Sequence, residues 1–343
     1  MDNTASKSLP PSSPPWFRQT KAFETPSRAR ALWQLVNSFA VFLSSWILTV
    51  VLWKMGLRYP WILPLIGVSG LSFVRIFIVF HDCCHESYFS SKKANAFWGW
   101  LIGILTYTPY LEWRKDHGIH HATTSNLDLR GVGDIWTLTL EEYTALGFWM
   151  RLWYRVYRNP IFLFLTAPPI LFILLQRIPR KGLTKKDRWN AHLTSLAVVA
   201  LALSIGFFLG WDVLFFVHLP IFYVTSVVGV WLFYVQHQFD PGYWEHAEGW
   251  TSWKAALVGS SHYKLPKFLQ WISGNIGFHH IHHLRPRIPN YNLERCYKAV
   301  KELQLPHPLT FWKSFSALTL HVWDERSKRL MSFRQVRLEG CRS

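Results

Sequence analysis

Acidic side chains and thiols are scarce in this chain. Twenty Asp and Glu stand against 37 Lys and Arg, and 343 residues contain only four cysteines. Cys83 and Cys84 are adjacent, Cys296 and Cys341 stand alone, and no CxxC pair exists. A disulfide framework is excluded, which fits a reducing compartment. No cysteine set and no dense carboxylate set is left to hold a metal. A secretory signal pattern is also lacking; Met1 to about Arg30 is polar and Pro-rich and reads as a cytoplasmic, poorly ordered lead-in. The formal net charge of +17 comes without any nucleic-acid-binding module. Its basic residues flank apolar segments instead, as the positive-inside rule requires, so nucleic acid is not an expected partner. The same surface suits an acidic partner protein.

Apolar runs are abundant. Half of the residues are hydrophobic, with 20 Trp and 25 Phe, and several charge-free stretches are long enough to cross a bilayer. Ala31 to Trp53 spans roughly 34 Å at ~1.5 Å per residue. Trp61 to Phe80 returns, with Arg75 expected to snorkel to the cytoplasmic interface. His192 to Gly210 and Val213 to Val235 form a second pair of crossings, joined at Trp211-Asp212 with no basic residue in the turn. Ala94 to Tyr110 is short and holds Gly99, Gly103 and Pro109, so it should dip in or lie at the interface. Pro160 to Gln176 is flanked by Arg151, Arg155 and Arg158 on one side and by Arg177, Arg180 and Lys181 on the other. Both flanks therefore belong on the cytoplasmic side, and Pro168-Pro169 should break the helix. The expected fold is an all-α membrane protein with four transmembrane helices in two hairpins. Re-entrant or interfacial segments and a cytoplasmic helical cap carrying the histidine clusters complete it. The expected division is a disordered lead-in over 1–30, a membrane domain over 31–310 and a cytoplasmic tail over 311–343.

Histidine is the unusual content. His81-Asp82-Cys83-Cys84-His85 ends the second crossing, and its two imidazoles, four apart, share a helix face. A zinc-protease motif would need Glu directly after the first His, where this chain has Asp82. His117-Gly118-Ile119-His120-His121 and His279-His280-Ile281-His282-His283 repeat an HxxHH spacing. In each, the last two ligand-spaced rings diverge by ~100°, which favours adjacent metals over one. Any single His reads as a hydrogen-bonded core residue; eight with matched spacing read as a metal site. Their number implies two ions. Imidazole suits zinc, copper, iron or nickel, and spacing alone leaves that choice open. His192, His218, His246, His262, His307 and His321 have no ligand spacing and read as structural. Asp82, Asp128 and Asp134 are candidate acceptors for ring N–H groups. Cys83 and Cys84 read as packing residues.

The three clusters, their order and their intervals resemble the membrane fatty acid desaturases. The stretches His117 to Asp128, Gly133 to Trp136, Tyr234 to Phe239, Gly274 to Leu284 and Pro286 to Leu293 resemble the bacterial acyl-lipid branch. The likeness covers roughly residues 30 to 310. It implies a non-haem di-iron centre with His81, His85, His117, His120, His121, His279, His282 and His283 as ligands. A further ligand outside the clusters matches His237. His280 falls at a variable position and reads as a neighbour of the site or a surface residue. Related acyl-CoA desaturases carry an Asn four residues before the extra histidine, where this chain has Phe233.

The implied activity is introduction of a cis double bond into the acyl chain of a membrane lipid, with O2 as co-substrate. The chain lacks the His-Pro-Gly-Gly of cytochrome b5 and any iron–sulfur cysteine spacing, so electrons must come from a separate donor, ferredoxin or cytochrome b5. The bacterial likeness implies the inner membrane, with histidines and both termini cytoplasmic. The alternatives are a di-iron carotenoid or lipid oxygenase, and a zinc-binding membrane receptor or transport protein. Product oxygen content separates the first; metal analysis separates the second.

Overall fold

A computed structural model describes residues 14–304 and 307–340. It is mostly helical, and among the described residues four helices are long and apolar enough to cross a membrane: Arg28–Lys54, Tyr59–Cys84, Lys185–Phe208 and Trp211–His237. Their outward faces carry large apolar side chains, such as Trp33, Phe207 and Phe208. Only a bilayer offers such surfaces a favourable solvent, which makes the chain an integral membrane protein.

The second long helix is the axis of the bundle. It packs against the first and fourth helices. Contact with the fourth is close at Gly70, where an added Cβ would lie 2.7 Å from Val224. The turn after the first helix meets the turn before the fourth: Lys54 Nζ lies 2.9 Å from Asp212 Oδ1, and Trp53 Nε1 donates to Asp212 Oδ2 at 2.8 Å. The second and fourth helices then run to the opposite end of the bundle, where their last turns carry His81 and His237.

Between the second and third long helices lie shorter ones. Lys92–Leu105 has 14 residues, about 21 Å of helix and too short to cross. It turns back at Thr106 to Pro109 into Tyr110–Thr123. The helix Phe148–Tyr157 and the stretch Ile161–Arg177 together would be long enough for a span, but they bend by 58°. The bend falls at Asn159-Pro160. Pro168-Pro169, expected to break the helix, do not: Ala167–Pro169 remains helical between two π-helical segments, Ile161–Thr166 and Ile170–Leu174. Wider turns accommodate the missing proline donors without ending the helix.

Two further expectations change, for Arg75 and for the lead-in. Arg75 does not snorkel to water. It is buried, donates from Nε to Ser38 Oγ at 3.1 Å and to the Trp271 carbonyl, and lies 4.2 Å from the Trp271 ring centre. Arg158, one of the basic flanking residues, is also buried. It is 1% exposed and donates to Gln238 Oε1 (2.9 Å), Tyr234 Oη (3.2 Å), Thr137 Oγ1 (3.2 Å) and the Leu320 carbonyl (2.7 Å). The lead-in, expected to be disordered to Arg30, carries a 3-10 helix, Pro15–Glu24, docked against Asn290–Ala299. Its earlier part and Cys341 lie outside the described residues.

The stretch after the fourth long helix consists of short helices and strands, among them His279–Leu284. Tyr263–Lys264 pairs in parallel with Leu309–Thr310. The C-terminal hairpin Val322–Asp324 and Arg329–Met331 pairs with Leu138–Thr139, so the last segment is packed onto the body.

Candidate metal centre

Four separate chain segments deliver the nine histidines. His81 and His85 come from the end of the second long helix, and His117, His120 and His121 from Tyr110–Thr123. His237 ends the fourth long helix, and His279, His282 and His283 lie on the short helix His279–Leu284. That last helix is aimed by its neighbours. Gly274 and Asn275 turn the chain in the left-handed region, and Gln236 Nε2 donates to the Ile276 carbonyl at 3.0 Å. Gly277 passes so close to the strand beside it that an added Cβ would lie 2.4 Å from the Tyr263 carbonyl oxygen. Only glycine fits there.

The rings form two groups. His81, His85, His117, His121 and His282 each place one nitrogen within 4.8 Å of all the others; His120, His237 and His283 do the same. His279 joins the second group, its Nε2 lying 2.9 Å from His237 Nε2. Each HxxHH run is divided between groups. His117 and His121 go to the first and His120 to the second; His279 and His283 go to the second and His282 to the first. This fits helix geometry, since i and i+4 point within ~40° of each other while i+3 and i+4 diverge by ~100°. The groups touch where the His121 and His283 rings stack, with centroids 4.0 Å apart.

Nitrogens converge rather than avoid one another. Nε2 of His81 and His117 stand 3.0 Å apart, those of His117 and His121 3.1 Å, of His121 and His282 3.0 Å, and of His120 and His237 3.1 Å. Two nitrogens bound at right angles to an ion ~2.1 Å away stand about 3.0 Å apart; a tetrahedral pair stands about 3.4 Å apart. The spacing fits ions of higher coordination number better than tetrahedral zinc. Neither ring nitrogen of His283 has a hydrogen-bond partner, nor does Nε2 of His85. Buried polar atoms left unpaired are costly, and a cation would satisfy them.

Two carboxylates fix which nitrogen faces inward. Asp82 Oδ1 accepts from His81 Nδ1 at 3.1 Å, and Asp134 Oδ1 accepts from His120 Nδ1 at 2.6 Å. With the proton on Nδ1, the Nε2 lone pair points into the group. Asp82 is itself held by Asn290, whose backbone N–H (2.6 Å) and Nδ2 (2.9 Å) donate to Oδ2. Burial first, and neighbouring imidazoles second, hold His117, His121, His279, His282 and His283 well below the ordinary histidine value. These rings are neutral at pH 7, the form that can donate a lone pair.

Asp128 takes no part: it accepts from His246 Nδ1 at 2.7 Å and from the Ala247 N–H at 2.8 Å, away from the rings. His280 is fully buried and donates from Nε2 to the Leu303 carbonyl at 3.0 Å, outside both groups. His218 pairs with Tyr107 Oη at 3.0 Å, far along the fourth long helix. Phe233 lies against His120 and His237, with centroids 5.2 and 5.1 Å away. Sequence reasoning missed Asn290 and Gln236 as supports. Asn290 directly follows Pro289 at a helix start, and Gln236 directly precedes His237.

The fatty acid desaturase family model matches residues 59–315, three quarters of the chain. This chain belongs to the fatty acid desaturase family. Members of that family are oxygen-dependent oxidoreductases, and so is this desaturase. It is 44% identical over 320 residues to the Bacillus subtilis protein named fatty acid desaturase, covering 93% of this chain and 90% of that one. It is 29% identical over 277 residues to the sn-1 acyl-lipid omega-3 desaturase (ferredoxin) of a Synechocystis species, covering 78% of this desaturase and 71% of the relative. Identity is 28% over 268 residues to the sn-1 oleoyl-lipid 12-desaturase of the same organism, covering 72% and 71%.

Proposed function

We propose that this desaturase introduces a cis double bond into a fatty acyl chain of a membrane lipid, using O2 and two electrons at a histidine-bound di-iron centre. The ligands are His81, His85, His117, His121 and His282 for one ion, and His120, His237, His279 and His283 for the other. The observation that carries this reading is the division of nine imidazoles into two touching groups with nitrogen spacings near 3.0 Å. The names of the Synechocystis relatives support an acyl-lipid substrate and, in one case, ferredoxin as donor. Ferredoxin or cytochrome b5 then serves as the separate donor here.

Iron supplies O2 activation, which an unactivated methylene requires. The protein contributes position and protonation. Asp82 and Asp134 hold His81 and His120 in the tautomer whose lone pair faces inward. Trp113, stacked on His117 at 4.3 Å, and Phe233 cover the bundle side of the rings with apolar surface. An acyl methylene meets the site there, and water is kept from it. The overall change is CH2–CH2 + O2 + 2 electrons + 2 protons to CH=CH + 2 H2O. The tie between Lys54 and Asp212 supports two hairpins with both turns at one end and the histidines at the other. With the basic flanks inside, the histidine face and both termini are cytoplasmic, in a bacterial inner membrane.

Expression in a host, followed by gas chromatography–mass spectrometry of derivatised acyl chains, tests the reading. A new double bond from the wild-type chain, absent from His283→Ala, is expected. A product carrying oxygen in place of a double bond would point to an oxygenase instead.

A further inference from the structure

The reaction consumes two electrons, and this chain has no motif for holding a redox group besides the histidine site. Electrons must cross the protein surface somewhere. The bundle side of the rings is covered by Trp113 and Phe233, so the opposite side is the remaining approach.

One place on that side is thin. A cavity of about 50 Å³ reaches His121 and His283, and Phe17 and Trp253 help to line it. Both aromatic side chains are half-buried, with one side toward solvent. Trp253 also borders an adjoining apolar groove of about 550 Å³. His121 and His283 are the stacked pair that joins the two histidine groups. An electron delivered at this edge is within reach of both.

The thin place is built deliberately. Arg285, two residues past His283, clamps the 3-10 helix Pro15–Glu24 over it. Its Nε donates to Thr20 Oγ1 at 2.7 Å, its Nη1 to Glu24 Oε1 at 2.8 Å, and its guanidinium carbon lies 4.1 Å from the Phe17 ring centre. That bond also neutralises Glu24, an acid that would otherwise face the patch. Arg18 and Lys21 on the same helix, Lys254 beside Trp253 and Arg287 beyond the third histidine run are all exposed. None of these four is in an ion pair among the described residues. Lys254 Nζ lies 5.7 Å from the Trp253 ring centre, so charge and aromatic edge stand together.

We propose that this patch, with Phe17 and Trp253 at its centre and Arg18, Lys21, Lys254 and Arg287 around it, docks an acidic one-electron carrier protein. The inference rests on the di-iron desaturase reading, because that reaction calls for a reductant. Two successive visits by the reduced carrier deliver the two electrons, and the carrier leaves oxidised each time. Charge complementarity steers the encounter, and the apolar centre excludes water at contact.

The test uses the purified full-length chain in nanodiscs and a plant-type ferredoxin as probe, with binding measured against ionic strength. The wild type binds, and binding weakens with salt. The double variant Arg18→Glu/Lys21→Glu, and separately Lys254→Glu on another element, weaken binding at least tenfold. Metal content and melting temperature stay unchanged. Reversal at a distant exposed pair, Lys185→Glu/Lys186→Glu, leaves binding intact. No binding by the wild type, unchanged binding in the patch variants, or equal loss in the distant pair would overturn the proposal. Lost product with intact carrier binding would assign the patch to anionic lipid headgroups and overturn it as well. A wild-type chain that makes no double bond defeats the desaturase reading instead, so the two failures are distinguishable.

Discussion

Replacing Asp134 with Asn isolates the control of one imidazole tautomer. Asp134 is buried beside His120, with side-chain exposures of 7% and 1%. Its Oδ1 takes the Nδ1 proton of His120 at 2.6 Å, and its Oδ2 takes the Gly131 N–H at 3.1 Å. An amide has one oxygen and cannot satisfy both donors. If the oxygen faces Gly131, the amide N–H2 meets Nδ1 and moves the ring proton to Nε2, which turns the lone pair away from the group. If the oxygen faces His120, the tautomer is kept, but a neutral acceptor replaces a charged one and an amide donor faces the Gly131 N–H. Either way His120 becomes a poorer ligand. Loss of such a supporting carboxylate lowers metal affinity about 10- to 100-fold, or about 1.4–2.7 kcal/mol. The assay is iron retention against a graded chelator, with melting temperature followed in parallel. Asp128→Asn is the control, because Asp128 makes similar bonds to His246 and Ala247 away from the rings. Asp134→Asn with wild-type iron retention, or equal iron loss from Asp128→Asn, would refute the reasoning.

Gly277→Ala forces a Cβ into the Tyr263 carbonyl and should cost about 1–3 kcal/mol of stability, with iron loss as His279 shifts. Gly118→Ala, inside a helix with nothing within 4 Å of the added Cβ, should raise stability by about 0.5–1 kcal/mol and leave the acyl product unchanged. Thermal unfolding in detergent checks both. Arg158→Lys keeps the charge but loses the fork that reaches Thr137 and the Trp136 carbonyl through Nη1 and Gln238 and the Leu320 carbonyl through Nη2; a loss of about 3 kcal/mol or more is expected in the same assay. Hydrogen bonds from His246 to Asp128, then to Glu325, raise its pKa above the ordinary value of ~6.5. Its contribution is therefore full below that ordinary value and fades as pH rises through the folded value. Histidine NMR should show the raised pKa, and Asp128→Asn should bring it down.

Local pattern made much of this molecule legible. Long uncharged runs mark the four long helices because length and apolarity are properties of the run itself. The HxxHH spacing carries much of the division of rings between groups, since helix periodicity turns His120 ~100° from His121 and His282 ~100° from His283; that His117 sides with His121, and His279 with His283, is settled by the fold. What was not legible depends on partners distant in sequence. Arg75 is a cation within an apolar run, and nothing near it announces Trp271, nearly two hundred residues later, which covers it. Arg158 looks like one more basic flanking residue until Gln238 and Leu320 close around it. Asp134, on a Gly-rich turn, reads as a better acceptor than Asp128, but a turn-forming role fits it equally well in sequence; only the fold brings it to a ring and takes Asp128 to His246. Pro168-Pro169 misled because proline reads as a break, whereas the chain absorbs it in π turns and bends at Pro160.

Metal analysis of the purified chain tests the central claim most directly. The account predicts two iron ions per polypeptide, falling together with acyl product in His283→Ala. One ion per chain, or zinc retained with no O2 consumed, would contradict it.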